Sequence, residues 1–204
     1  MKVYDISSPI FTGMPVYKNK LEKQPALTTN TNGYVTETRL ELDVHTGTHV
    51  DAPLHMIVDG ETIETLPLEK LVGPCKVFDL TAVNDRITKE DIVNLDIQKD
   101  DFILFKTKNS FDEEFNFDFV FVAEDAAIHL AELGIRGVAV DALGIERSQE
   151  GHPTHKTLFN HNVIIIEGLR LKDIEEGGYI MVAAPLKLSG VDASPARIVL
   201  LDME

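Results

Sequence analysis

Between residues 36 and 45, Leu40, Leu42 and Val44 alternate with Arg39, Glu41, Asp43 and His45, the period-two spacing of a strand with one buried face. On that pattern His45 lies on the polar face. Further short apolar runs, CKVFDL, DFILFKT, GVAVDAL, VIIIEGL, YIMVAAPL and ARIVLLD, are rich in Val, Ile and Phe and predict strands. Two helices are marked. Thr88 followed by Asp91 resembles a capping arrangement opening TKEDIVNL, and AEDAAIHLAEL has helical apolar spacing before Gly134, a suitable C-terminal cap. Strands outnumber helices and do not alternate with them regularly. A mixed α/β fold, with a sheet or barrel flanked by a few helices, is therefore expected rather than a parallel doubly wound one.

The chain of 204 residues contains no internal repeat or Pro/Gly/Ser-rich linker, so one domain spanning 1–204 is expected. A formal net charge of -15 would repel phosphate backbones and anionic lipid, which argues against nucleic-acid and membrane partners. Part of the acidity lies in FDEEFNFDF (111–119), which reads as a solvated loop. No apolar run reaches the roughly 18 residues of a membrane span, and MKVYDISSPI lacks the features of a secretory signal. Cys75 is the only cysteine, so it forms no internal disulfide and belongs in a buried strand; a cytoplasmic protein is expected.

Chemistry concentrates in HTGTHVDAPLH (45–55). His45, His49, Asp51 and His55 fall within eleven positions, too dense for unrelated surface histidines. Gly47, Pro53 and the β-branched Thr46, Thr48 and Val50 disfavour a helix, so the segment reads as a strand end running into a loop. The glycine permits a turn that brings His45 and His49 together, and His49 and Asp51, two apart, project to one side. Imidazole and carboxylate without thiolate suit Zn, Mn or Fe(II). An ion held by three protein ligands keeps a position open for water and lowers its pKa to roughly 7, which points to hydrolysis. A fourth histidine ligand would close that position, so His55 is assigned as general base or proton shuttle.

Downstream, GHPTHKTLFNHNVIIIEGL holds His152, His155, His161 and, within an apolar strand, Glu167. Burying that carboxylate is costly unless it is paired or binds metal, but periodicity equally allows it to face solvent at the strand end. Composition does not separate His155 from its neighbours.

HTGTHVDAPLH matches the HxGTHxDxPxH signature of the cyclase-like hydrolases, which include bacterial kynurenine formamidases and isatin hydrolases. GMPVY, VDALGIE, HKTLFNHNVIIIEGL and PLKLSGVDASPARIVL also resemble segments of that family. The resemblance implies that His45, His49 and Asp51 bind one metal and that His155 and Glu167, with Asp51 bridging, complete a second site, His55 being the catalytic acid/base. It leaves His152 and His161 without that role. It further implies a swivelling β/β/α fold with an antiparallel barrel-like core, one or two divalent ions, with Zn the first expectation and Mn the alternative, and a homodimer or homotetramer. Many kynurenine formamidases carry a Trp in a WPGD-like segment, whereas this chain reads MPVYKNK and has no Trp, leaving Phe11, Tyr17 or Tyr34 for any stacking.

The expected activity is metal-dependent hydrolysis of a small amide, of the arylformamidase type that serves tryptophan catabolism. The alternatives are ring opening of a cyclic amide or lactone, or metal binding without turnover; the presence of His55 beside the ligands speaks for catalysis. No GxSxG segment or Gly-rich phosphate loop supports serine-nucleophile or nucleotide chemistry.

Overall fold

The computed structural model describes residues 1–202. Along the chain, β1 (Lys2–Asp5), β2 (Ala26–Asn32), β3 (Val35–Glu41) and β4 (His49–Asp51) precede β5 (Val72–Asp79), β6 (Arg86–Ile87), α1 (Lys89–Ile92) and β7 (Phe102–Lys106). There follow β8 (Phe121–Val122), α2 (Glu124–Leu133), β9 (Gly137–Val140), α3 (Pro153–Asn160), β10 (Ile164–Glu167), β11 (Gly177–Pro185) and β12 (Ala193–Asp202). Each of the six apolar runs forms a strand, and Cys75 is buried in β5 as expected.

Strands β12, β11, β5, β7, β9, β10 and β4 adjoin in that order and β4 pairs back onto β12, closing a seven-stranded barrel with β1 added along β12. The expected barrel core is therefore present, but its pairing is mixed rather than antiparallel throughout, because helical crossovers make three of its pairs parallel. The β12–β11, β11–β5, β10–β4 and β4–β12 pairs are antiparallel. The β5–β7, β7–β9 and β9–β10 pairs are parallel. Parallel neighbours need long crossovers, and α2 and α3 supply them between β7, β9 and β10.

Side-chain alternation gives the barrel wall two apolar faces. Val50, Leu104, Ile164, Ile166, Met181 and Leu200 share one cluster, which fills the barrel. Ile103, Val138 and Ile165 point the other way and pack with Leu130 and Leu158 of the helices. Full burial of each such side chain is worth about 1.5–3 kcal/mol.

Thr88 and Asp91 form the capping box of α1, and Gly134 ends α2 at φ 73°. The helix α3 is an addition to the sequence expectation: Pro153 starts it, and Thr154, His155, Leu158 and Phe159 are its buried residues. One expectation needs correction. β3 ends at Glu41 and pairs only with β2, and every residue of this hairpin is exposed, Leu40 included. Period two marked an apolar stripe without revealing that nothing among the described residues covers it. His45 accordingly lies in a turn beyond the strand. The 111–119 segment is a loop on which Phe115 and Phe119 pack with Tyr17.

Candidate metal centre

The turn that carries His45 is assembled locally. Asp43 Oδ1 accepts the His45 N–H at 2.9 Å, and Thr46 Oγ1 donates to the Asp43 carbonyl at 2.6 Å. Gly47 then takes φ 61°, a left-handed conformation that L side chains rarely adopt. Thr48 Oγ1 donates to the Gly168 carbonyl, fastening the turn to the end of β10. In the β4–β10 register His49 stands opposite Glu167 and Asp51 opposite Ile165. Val50 enters the barrel, so His49, Asp51 and Glu167 share its outer wall, beneath the His155 face of α3. A 3-10 turn, Pro53–His55, brings the His55 ring to 4.2 Å from that of His45 and 5.5 Å from that of His155, between centroids.

The structure thus gathers all six sequence-expected residues. It also settles Glu167, which is buried at 4% exposure rather than facing solvent. Asp51 Oδ1 lies 3.1 Å from His45 Nδ1 and 3.3 Å from His49 Nε2. Asp51 Oδ2 lies 3.7 Å from His155 Nε2, which is 3.4 Å from Glu167 Oε1. Glu167 Oε2 is 3.3 Å from His49 Nε2. The two oxygens of Asp51 therefore face different histidines.

The far sides of the rings define which nitrogens carry hydrogen when the rings are neutral. His49 Nδ1 donates to the Gly47 carbonyl at 2.9 Å, His155 Nδ1 to Glu146 Oε1 at 2.5 Å and His45 Nε2 to Asp192 Oδ2 at 2.9 Å. Each partner oxygen can only accept, so the inward nitrogens, His49 Nε2, His155 Nε2 and His45 Nδ1, are left as bare lone pairs. His49 Nε2, both Asp51 oxygens and His155 Nε2 are buried without a hydrogen-bond partner. Lone pairs facing one another at these distances require positive charge between them.

The electrostatics give the same answer. Burial by itself lowers the His49 pKa, but Asp51 and Glu167 outweigh it and hold the ring up at about 10. The same competition raises His155, through Asp51, Glu146 and Glu167, and His45, chiefly through Asp51. For the carboxylates, burial acts upward but the imidazoles prevail, drawing Glu167 down to about 2 and Asp51 well below its ordinary value. The cluster demands cationic charge, and neutral imidazoles with carboxylates are ligands suited to a divalent ion.

Two residues complete the surroundings without being marked as chemistry in the sequence. Glu146 accepts from His155 Nδ1 and, through Oε2, from the Thr154 N–H at 3.1 Å. Asp192 holds His45. His152 reaches only the outer side, with Nδ1 3.2 Å from Glu146 Oε1, and His161 turns to the Thr157 carbonyl. Of the candidate aromatics, Tyr34 is exposed at the hairpin tip. Tyr17 is half-buried and stacks edge-on with Phe115 at 5.4 Å; burial and the charge of Glu167 push its pKa up. Phe11, Phe115 and Phe119 line a cavity of about 240 Å³ that also touches Gly168 and Leu169, the residues following Glu167.

A carboxylate–imidazole cluster on the outer wall of a mixed barrel defines a divalent-metal protein of cyclase type. The chain belongs to the putative cyclase family, whose model matches residues 4–147, a span that includes His45, His49, Asp51, His55 and Glu146. It is 35% identical over 208 residues to the kynurenine formamidase of Salinibacter ruber (strain DSM 13855 / M31), covering 99% of this chain and 98% of that protein. A solved potential metal-dependent hydrolase with cyclase activity superposes with a TM-score of 0.95 at 69% identity, covering 100% of this chain and 98% of that one. Isatin hydrolase A from Labrenzia aggregata shares the fold, with a TM-score of 0.87 at 23% identity over 100% of this chain and 94% of that one.

Proposed function

We propose that this chain is a metal-dependent amidohydrolase of the arylformamidase type, cleaving a small aryl formamide such as N-formylkynurenine with water to give the amine and formate. The observation that carries the reading is the set of buried, unpartnered atoms His49 Nε2, Asp51 Oδ1, Asp51 Oδ2 and His155 Nε2, aimed at one another. His45, His49 and Asp51 would hold one ion, and Asp51, His155 and Glu167 a second, with Asp51 shared. Zinc suits this donor set, and manganese is the next choice. When bound, a divalent ion supplies a Lewis acid for the carbonyl and makes water acidic near neutral pH.

The chain's own groups orient the substrate and move the proton. His55 is half-buried, and burial pushes its pKa below 6.5, so near pH 7 it is neutral and able to accept a proton. It takes that proton from the attacking water and returns it to the leaving amine nitrogen. The apolar cavity beside Gly168 and Leu169 offers a wall for the aryl group. The reading includes one catalytic domain across the chain and a homodimer, since the β2–β3 hairpin exposes Leu27, Val35 and Leu40 and a lone two-stranded ribbon is marginal in water. It also places the enzyme in the cytoplasm, in keeping with a buried, unpaired Cys75.

The test is kynurenine release from N-formylkynurenine by metal-stripped protein reconstituted separately with zinc and with manganese, beside His55→Ala. Turnover that requires both metal and His55 is the expected result. Metal-loaded protein that leaves N-formylkynurenine intact but opens isatin would transfer the substrate assignment to cyclic amides, and inactivity on both would contradict the hydrolase reading.

A further inference from the structure

Asp192 stands 147 residues from His45 and 137 from His55 in sequence, yet a single oxygen of its carboxylate meets both rings. Its Oδ2 is 2.9 Å from His45 Nε2 and 3.3 Å from His55 Nδ1. The Asp192 main-chain carbonyl accepts the Ala52 N–H at 2.9 Å, and the next residue, Ala193, pairs with Asp51 in the barrel register. The Asp192 backbone is therefore anchored to the strand that carries the candidate ligands.

We propose that Asp192 is a positioning residue that sets the working tautomer of two histidines at once. A carboxylate oxygen only accepts, so each ring nitrogen facing it carries hydrogen. For His45 this leaves Nδ1 as the bare nitrogen, 3.1 Å from Asp51 Oδ1. For His55 it leaves Nε2, the nitrogen opposite the carboxylate, as the one that accepts a proton. The first half is the carboxylate–histidine pairing by which a protein orients a metal ligand. The second is the carboxylate–imidazole pairing that holds a general base in its useful form. One side chain thereby ties the metal site to the proton-transfer group, an arrangement that keeps the two in fixed relation, their ring centroids 4.2 Å apart. The inference rests on the reading of His45 as ligand and His55 as acid/base.

The experiment uses Asp192→Ala and the near-isosteric Asp192→Asn, each alone and in a His55→Ala background. Zinc affinity is measured without substrate, by competition with a chromogenic chelator, and kcat and KM are measured at saturating zinc. Loss of the carboxylate should weaken zinc binding about 10–100-fold, the usual effect of removing such a partner. It should lower kcat with KM little changed, and lower it no further once His55 is gone. Unchanged zinc affinity, or an equal loss of kcat in both backgrounds, would overturn the proposal. If His55→Ala by itself keeps full kcat, the acid/base reading fails separately; Asp192 is then judged on zinc affinity, where a loss supports its link to His45 and no loss overturns it. Should Asp192→Ala not fold, Asp192→Asn carries the comparison.

Discussion

Glu146 holds His155 from behind: its Oε1 accepts the ring Nδ1–H at 2.5 Å, while its Oε2 accepts the Thr154 N–H in the first turn of α3. One buried carboxylate thus orients a candidate ligand and satisfies the start of the helix that carries it, where His152 gives no side-chain cap. Glu146→Gln should weaken metal binding about 10–100-fold by loosening the His155 ring. Chelator competition measures this, and an unaltered affinity would show that His155 needs no such partner.

The metal-free protein should lose stability as the pH rises above neutrality. Folding raises the pKa of His49 from 6.5 to about 10 and raises those of His45 and His155 above 6.5. Their contribution is fully present below pH 6.5 and is lost as the pH climbs through the folded values. Glu167, lowered from 4.5 to about 2, acts on the other side, with a contribution present above 4.5 and lost as the pH falls through about 2. A bound ion replaces the imidazole protons, so the rise in Tm given by zinc should grow between neutral and mildly alkaline pH. Calorimetry with and without zinc checks this, and a zinc increment that shrinks with rising pH would refute it.

His55 predicts a particular pH profile. Burial lowers its pKa from 6.5, so kcat/KM should rise with pH through an acid limb centred below 6.5 and then level off. His55→Ala should remove that limb together with most of the rate, about 10²–10⁴-fold for a lost general acid/base. A variant that retains the wild-type limb would assign it to another group.

How much of this was readable in the sequence depended on how local each feature is. His45, His49, Asp51 and His55 lie within one short segment, and the Gly47 turn that folds it has a clear cause in glycine's freedom. The barrel strands were legible because their apolar runs are buried on both faces of the wall. Glu167 was ambiguous because alternation fixes a face but not its surroundings, and only pairing with β4 places it opposite His49. Glu146 and Asp192 lie in VDALGIE and PLKLSGVDASPARIVL, segments that resemble the family without assigning either a role: each is an ordinary acidic residue until the fold sets it behind a histidine. The β2–β3 stripe misled for the same reason, since period two does not say what covers an apolar face.

The central claim, that these residues form a metal centre, is tested most directly by anomalous diffraction at the zinc edge from crystals of zinc-loaded protein. The account predicts a peak among His45 Nδ1, His49 Nε2 and Asp51 Oδ1, and a second beside Asp51 Oδ2, His155 Nε2 and Glu167 at full loading, both absent in Asp51→Ala. Zinc bound elsewhere, with this cluster empty at saturating zinc, would contradict it.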